Sequence, residues 1–362
     1  MKIALLITGL GMGGAERQVC DLADNFSMLG HQVLLISIVG KSVTRPQLPA
    51  VDVVELGMAK SIWGGICAYR KIKDLMLHFK PDVVHSHMVH ANLFARIIRL
   101  TMHIPKLICT AHSSNEGGSI RMLAYRMTDS LCDISTNVSK EAVDIFVQKK
   151  AVPATRMIAM YNGVDTERFN FSVSSRTVLR GSLGLGDDIS VLLAVGRLTM
   201  AKDYPNLLAA FSKIESVYEK AHLFIIGAGE EEENLKATVM NLGLTKRVHF
   251  LGLRHDISDW MSAADVFILS SAWEGFGLVV AEAMACQRVV VATDCGGVKE
   301  VVGDVGFLVP PKNSQKLASA ISTALSLPLD TREELGISAR CRIFDNYSLK
   351  AVCSKWIEMY HK

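Results

Sequence analysis

Residues 1–23 read MKIALLITGLGMGGAERQVCDLA, and the order of elements in this stretch sets the fold. Residues 2–8 are a nearly unbroken apolar run, as expected of a strand covered on both faces. Residues 15–29 place Val19, Leu22, Ala23, Phe26 and Leu29 on one helical face. Between the two lie Gly9, Gly11, Gly13 and Gly14. A strand, a glycine turn and a helix predict the first unit of a Rossmann-like domain. The spelling Gly9-x-Gly11-x-x-Gly14 also matches a dinucleotide-binding turn, which needs an acid about 20 residues further on to hold the ribose. Here the second strand, residues 32–39, runs into Gly40-Lys41, and no Asp or Glu occurs from residue 25 to 51. The dinucleotide reading fails that test. Two readings of the glycines stand: a turn whose backbone and helix N–H groups meet a ligand, or a tight strand-to-helix connection and nothing more.

The same alternation continues. Helical periodicity at residues 61–79 is followed by strands at 83–86, 107–111 and 134–138. Residues 165–188 are rich in Ser, Gly and Asp and read as a connector with a short helical piece. A second series then opens at 191–195 and continues with strands at 222–227, 248–251, 266–270, 289–292 and 306–309. Helices are expected between them at 205–218, 231–242, 257–263, 278–286 and 314–325. Continuous apolar strands alternating with helices imply two α/β units with parallel sheets. The boundaries expected are 1–168 and 169–345. A last helix at about 346–362 carries Leu349, Val352, Cys353, Trp356, Ile357 and Tyr360 on one face.

The chain has 362 residues, enough for two full cores. Its net charge of +3 gives no case for nucleic-acid binding. The charge is divided unevenly, at +5 over residues 1–168 and −2 over the remainder. None of the eight cysteines forms a C-x-x-C pair, and several lie in apolar runs, so reduced, mostly buried thiols in a cytoplasmic protein are expected. The first fourteen residues imitate a signal peptide, but charged residues follow at once on a helical pattern without a small-residue cleavage site. No apolar stretch reaches the about 18 residues of a membrane span.

The second half carries the chemistry. Residues 194–205, AVGRLTMAKDYP, end a strand at Gly196 and place Arg197 and Lys202 in the loop before the next helix. Two cations at the carboxyl end of a strand can clamp a diphosphate. Residues 270–284, SSAWEGFGLVVAEAM, set Glu274 on a loop and Glu282 two turns along a helix that starts near Leu278. Carboxylates accept hydrogen bonds from pairs of hydroxyls, which suits sugar and ribose recognition. Glu282 lies in an otherwise apolar segment, where an acid needs a reason to be half-buried. A further small-residue turn, Cys295-Gly296-Gly297, follows the strand at 289–292.

Taken together, GGAER at 13–17, NGVD at 162–165, AVGRLTMAKD at 194–203, LGLRHDI at 251–257, ADVFILSSAWEGFGLVVAEAMA at 264–285 and CGGVKEVV at 295–302 resemble the retaining glycosyltransferases of family 4. The match runs in order along nearly the whole chain. The resemblance implies the GT-B fold: two Rossmann-like domains with parallel sheets facing across a cleft, the first on the acceptor side and the second holding a nucleotide-sugar donor. It also implies that the last helix crosses back to the first domain. Arg197 and Lys202 then bind the donor diphosphate and stabilise the leaving group, Glu282 holds the ribose hydroxyls, and Glu274 lies at the donor sugar. The backbone of Gly275, Phe276, Gly277 and Leu278 approaches sugar and diphosphate, with Gly196 and Gly227 in the neighbouring turns. Leu253 and Arg254 line the base pocket, Gly13 and Gly14 form the opposite lip and bind the donor, their backbone meeting its diphosphate or the incoming acceptor, and His112 contacts the donor sugar. Glu274, Lys202, Arg197 and His112 are the expected catalytic set. No covalent nucleophile stands out, and the route expected is front-face attack with the departing phosphate taking the proton.

Other patterns point elsewhere. His85, His87 and His90 imitate a metal set but lack a neighbouring acid or cysteine cluster, so no metal is expected. Tyr69 and Lys73 copy a dehydrogenase dyad without its nucleotide site. No cofactor is expected, Mg2+ entering at most as a non-essential ion. Bacterial relatives build surface polysaccharides such as O-antigen, capsule or exopolysaccharide, so a glycan or lipid-diphosphate-linked acceptor is expected, with UDP as the commonest donor nucleotide. Segments 69–73, 96–100 and 119–127 mix basic and apolar residues at helical spacing, which suggests peripheral attachment to the inner membrane face or ordinary half-buried helices. The competing functions are a sugar-nucleotide epimerase of the same plan and a non-catalytic nucleotide-sugar binder.

Overall fold

The computed structural model describes residues 1–114 and 116–362. The apolar run at the start becomes β1 (Lys2–Ile7), whose residues from Ile3 onward are fully buried. Around it assemble β2 (Gln32–Ser37), β3 (Val51–Glu55), β4 (Val83–His87), β5 (Lys106–Ala111), β6 (Ile134–Asn137) and β7 (Met157–Ala159). All pairings are parallel, in the order β3-β2-β1-β4-β5-β6-β7. The second sheet contains β8 (Ser190–Val195), β9 (Ala221–Ile226), β10 (Val248–Phe250), β11 (Val266–Leu269), β12 (Val289–Thr293) and β13 (Phe307–Val309). It too is parallel, in the order β10-β9-β8-β11-β12-β13. In each sheet the strand order reverses beside the first strand, between β1 and β4 and between β8 and β11. The carboxyl ends of strands at such a reversal form a crevice where α/β proteins hold ligands.

The chain forms two units, Met1–Gly163 completed by Leu349–Lys362, and Val164–Ser348. The first break thus falls after Gly163, not after Arg168, and the return comes at Leu349, not 346. The reason is local. Val164 N–H donates to the Tyr347 carbonyl, and the Arg340 guanidinium donates to the carbonyls of Thr166 and Phe169, so residues 164–169 are tied into the second unit. The final helix, Leu349–His361, belongs to the first unit, as expected. Its Leu349, Val352, Cys353, Trp356, Met359 and Tyr360 join the core formed by Val19, Leu22 and Phe26 of the helix Gly14–Met28. Tyr360 also places its hydroxyl 2.7 Å from Nδ1 of buried His85. Cys20, Cys109, Cys132, Cys286, Cys295 and Cys353 are buried free thiols, and Cys67 and Cys341 are exposed.

Candidate active site

β8 delivers Gly196 and Arg197 to the crevice of the second unit. Leu198 N–H then donates to the Ala228 carbonyl, which fixes the departing loop against the turn after β9. That turn has to contain glycine. Gly227 holds φ +145, and a Cβ there would lie 1.9 Å from the Gly196 carbonyl oxygen. Arg197 is exposed, and among the described residues its side chain makes no ion pair. A short helical turn, Met200–Lys202, brings Lys202 back towards the sheet.

The loop after β11 meets it there. Ala272 N–H donates to the Ala201 carbonyl, and Ser270 Oγ donates to that of Lys202. These two bonds bring together side chains 72 positions apart: Lys202 Nζ lies 2.5 Å from Glu274 Oε1, and Ser271 Oγ donates to the same oxygen at 2.7 Å. Both charged side chains are mostly buried, at 19% and 14% exposure. Underneath, the small-residue turn after β12 supports the loop. A Cβ at Gly296, which holds φ +59, would lie 2.1 Å from the Glu274 carbonyl oxygen. Gly277, itself left-handed, precedes the helix Leu278–Ala285, and no side chain caps that helix's free N–H groups. Glu282 is half-buried on this helix, as its apolar neighbours required. The Phe276 side chain turns inward onto the Tyr347 ring, 5.6 Å between centroids, which leaves only its backbone for a ligand. Leu253 is exposed, whereas Arg254 is engaged by Asp256 through two contacts of 2.7 and 2.6 Å and lies over the Trp260 ring.

In the first unit, Gly13 caps the helix Gly14–Met28 with an extended backbone at φ −175. A Cβ there would lie 2.5 Å from Glu16 Oε2, so the glycine turn has a carboxylate beside it. His112 follows β5, and its Nε2 lies 3.1 Å from Nδ1 of His87 at the end of β4. Burial pushes His112 down to about 4 and holds His87 well below the usual imidazole range, so both are neutral near pH 7. The three histidines of the apparent metal set have different hydrogen-bond partners. His85 is a buried core residue bonded to Tyr360 and Thr110, His87 pairs with His112, and His90 is exposed. Among the described residues no group of three potential ligands gathers. Tyr69 and Lys73 both bond Thr101 near the surface, which accounts for that pair structurally.

Glu116 is a residue the sequence did not single out. Its Oε1 accepts from His112 N–H at 3.1 Å and its Oε2 from the buried Tyr125 hydroxyl at 2.9 Å. Burial raises its carboxyl above the ordinary range, against the lowering effect of these donors. The Glu116 carboxylate thereby fixes the backbone that carries His112. An acid four residues after a strand-end histidine was the available signal.

Two parallel Rossmann-like units, one with a cationic and acidic loop cluster at its strand reversal, are the parts of the GT-B plan, and the family models place that plan among the glycosyltransferases. The chain belongs to the family 4 glycosyltransferases: the family model described as Glycosyltransferase Family 4 matches residues 12–168, and that described as Glycosyl transferases group 1 matches residues 175–342. An uncharacterized glycosyltransferase of Methanocaldococcus jannaschii is 27% identical, over 96% of this chain and 94% of its own. The N-acetylgalactosamine-N,N'-diacetylbacillosaminyl-diphospho-undecaprenol 4-alpha-N-acetylgalactosaminyltransferase of Campylobacter jejuni is 25% identical, over 90% of both chains. Among solved structures, Anabaena HepE in complex with UDP-glucose superposes with a TM-score of 0.87 at 24% identity, over 99% of both chains.

Proposed function

We propose that this enzyme transfers a sugar from a UDP-sugar, with retention at the anomeric carbon, to a hydroxyl of a glycan or lipid-diphosphate-linked acceptor in bacterial surface polysaccharide synthesis. The observation that carries the reading is the cluster at the β8–β11 reversal, where exposed Arg197 lies in the same loop as the Lys202–Glu274 pair. Negative charge grows on the departing phosphate as the sugar leaves, and preorganised cations at that position lower the barrier. Lys202 and Arg197 supply that charge, aided by the uncapped N–H groups of the helix Leu278–Ala285. Glu274 accepts from hydroxyls of the transferred sugar, Glu282 from those of the ribose, and the backbone of 275–278 follows the sugar and diphosphate. Leu253 and Arg254 flank the base, and Gly196 and Gly227 leave the turns free of side chains. His112 meets the sugar.

The carboxylate of Glu16 beside Gly13 disfavours a phosphate at the first glycine turn, so Gly13 and Gly14 are assigned to the acceptor. The acceptor hydroxyl enters beside the leaving phosphate, which takes its proton, and no metal or cofactor is required. The UDP-glucose complex of HepE and the diphospho-undecaprenol named for the Campylobacter relative support donor and acceptor class respectively.

Of the three segments that mix basic and apolar residues, 69–73 turns Ile72 inward, and 96–100 is divided, with Ile97 and Leu100 exposed and Arg96 and Ile98 inside. Arg96 is fully buried and paired with Asp129. The helix Ser119–Thr128 keeps Ile120, Leu123 and Met127 exposed between Arg121 and Arg126, which suits an anionic membrane surface on the cytoplasmic side. Among the described residues no helix is long and apolar enough to cross a membrane.

The test is a thermal-shift panel of UDP-, GDP- and ADP-sugars, followed by proton NMR of the transfer product. Stabilisation by UDP-sugars and an α-linked product from an α-linked donor are expected. A shift confined to GDP- or ADP-sugars would refute the donor, and an inverted product would refute retention. Flotation with anionic vesicles tests the membrane face, and salt-insensitive absence of binding removes it.

A further inference from the structure

His87 and His112 meet through one nitrogen each, His87 Nδ1 and His112 Nε2, at 3.1 Å. The other nitrogen of each ring, His87 Nε2 and His112 Nδ1, is buried without a hydrogen-bond partner among the described residues. A neutral imidazole carries one N–H, so the contact between the rings holds a single proton. The two outer nitrogens are then complementary: one is an N–H and the other a bare lone pair. If His112 donates, the unpaired N–H lies on His87, which is only 1% exposed. If His87 donates, the unpaired N–H lies on His112, which stands beyond the end of β5 and is only half-buried. Either arrangement leaves one buried N–H unpaired in the ligand-free protein; the second places it on the half-buried ring at the end of β5, where a ligand can reach and pair it, and not on the enclosed ring of His87.

Both rings are held for this. The His87 ring stacks on His85, 4.0 Å between centroids, and His85 is locked by Tyr360 and Thr110 at 2.7 Å each. Met88, the next residue, holds φ +72, a strained conformation for a non-glycine residue, and its N–H donates to the Thr110 carbonyl. His112 is held from the other side, through its backbone N–H to Glu116.

We propose that His87 is a positioning residue that sets the tautomer of His112: His87 Nδ1–H donates to His112 Nε2, so that His112 presents Nδ1–H to an oxygen of the sugar being transferred. The proposal rests on the assignment of His112 to that sugar. It adds the source of its hydrogen-bonding polarity. A sugar hydroxyl or phosphate oxygen accepting from Nδ1 satisfies a donor that is otherwise buried and unpaired.

The test combines nitrogen-15 NMR of histidine-labelled, ligand-free protein with UDP-glucose turnover in wild type, His87→Asn, His87→Phe, His112→Phe and the double His87→Phe/His112→Phe. The asparagine amide lies where Nδ1 does and keeps a donor. Resonances lost in His112→Phe identify the ring. The wild type and His87→Asn are expected to show His112 protonated at Nδ1, and His87→Phe is not. kcat should fall about 10- to 100-fold in His87→Phe, with the donor KM little changed and most of the loss restored in His87→Asn. His87→Phe should cost nothing further in the His112→Phe background. An unchanged His112 tautomer in His87→Phe, or an equal loss with and without His112, would overturn the proposal. Full activity of His112→Phe would overturn the assignment of His112 itself, whereas impaired His112→Phe beside a fully active His87→Phe overturns the tautomer role alone.

Discussion

Replacing Lys202 by methionine separates two jobs that the structure gives this side chain. The ammonium lies 2.5 Å from Glu274 Oε1 in a pair whose members are 19% and 14% exposed. Removing one partner of a fully buried pair costs 3–5 kcal/mol, whereas a surface pair is worth about 0–1 kcal/mol. The residual exposure and the remaining Ser271 donor at 2.7 Å put Lys202→Met between them, at about 1–2 kcal/mol, read by urea unfolding. Glu274→Gln keeps the Ser271 bond and should cost about 1 kcal/mol or less. The double variant should recover about 1 kcal/mol relative to the sum, because no unpaired charge is left. Catalysis should not recover. Loss of a cation at the leaving phosphate should lower kcat about 10²–10³-fold in Lys202→Met and at least as much in the double variant. If turnover returned in the double variant together with stability, Lys202 would serve only to neutralise Glu274, and the leaving-group role would be wrong.

Three further outcomes follow from named contacts. Gly227→Ala should destabilise by about 3 kcal/mol or more, seen as a large fall in melting temperature, because its Cβ meets the Gly196 carbonyl oxygen at 1.9 Å. Gly13→Ala should cost under about 1 kcal/mol, since its backbone is extended and only the movable end of Glu16 obstructs it; a loss as large as that of Gly227→Ala would contradict this. Between pH 6.5 and 4 the unfolded His112 binds a proton that the folded one, pushed down to about 4, does not. Stability should therefore fall with falling pH across that window, by up to about 3 kcal/mol, and unfolding at pH 7 and pH 5 should show a shallower difference in His112→Phe.

The strands of both sheet centres were legible because they are continuous apolar runs, and the loops that follow them named Arg197, Lys202, Glu274 and His112. The edges were not. β3 carries Asp52 and Glu55 on a partly exposed edge, and β7 has three residues, so neither produces an apolar run. The helix Leu329–Tyr347 escaped for the opposite reason: it is charged around most of its circumference and buries only Gly336, Ala339, Ile343 and Tyr347. The Lys202–Glu274 and His87–His112 contacts depend on which strands become neighbours. β8 beside β11 and β4 beside β5 bring them together, and nothing in the local sequence of either partner reports this. Glu116 gave only the weak signal of an acid four residues after a strand-end histidine, since its partners Tyr125 and His112 reach it only once β5 and the following helix have packed.

The return of the last helix to the first unit has a consequence for synthesis on the ribosome. Trp356 and Tyr360 belong to the same core as β1, yet the whole of Val164–Ser348 is translated before they emerge. At typical elongation rates that interval is on the order of ten to forty seconds. During it the nascent first unit exposes the apolar groove that Trp356 later fills, and His85 waits for the Tyr360 hydroxyl. The second unit, contiguous in the chain, can close as soon as it has left the exit tunnel. The order of emergence and the order of completion are thus reversed, and the first unit is the one exposed to chaperones and proteases until the helix Leu349–His361 has emerged.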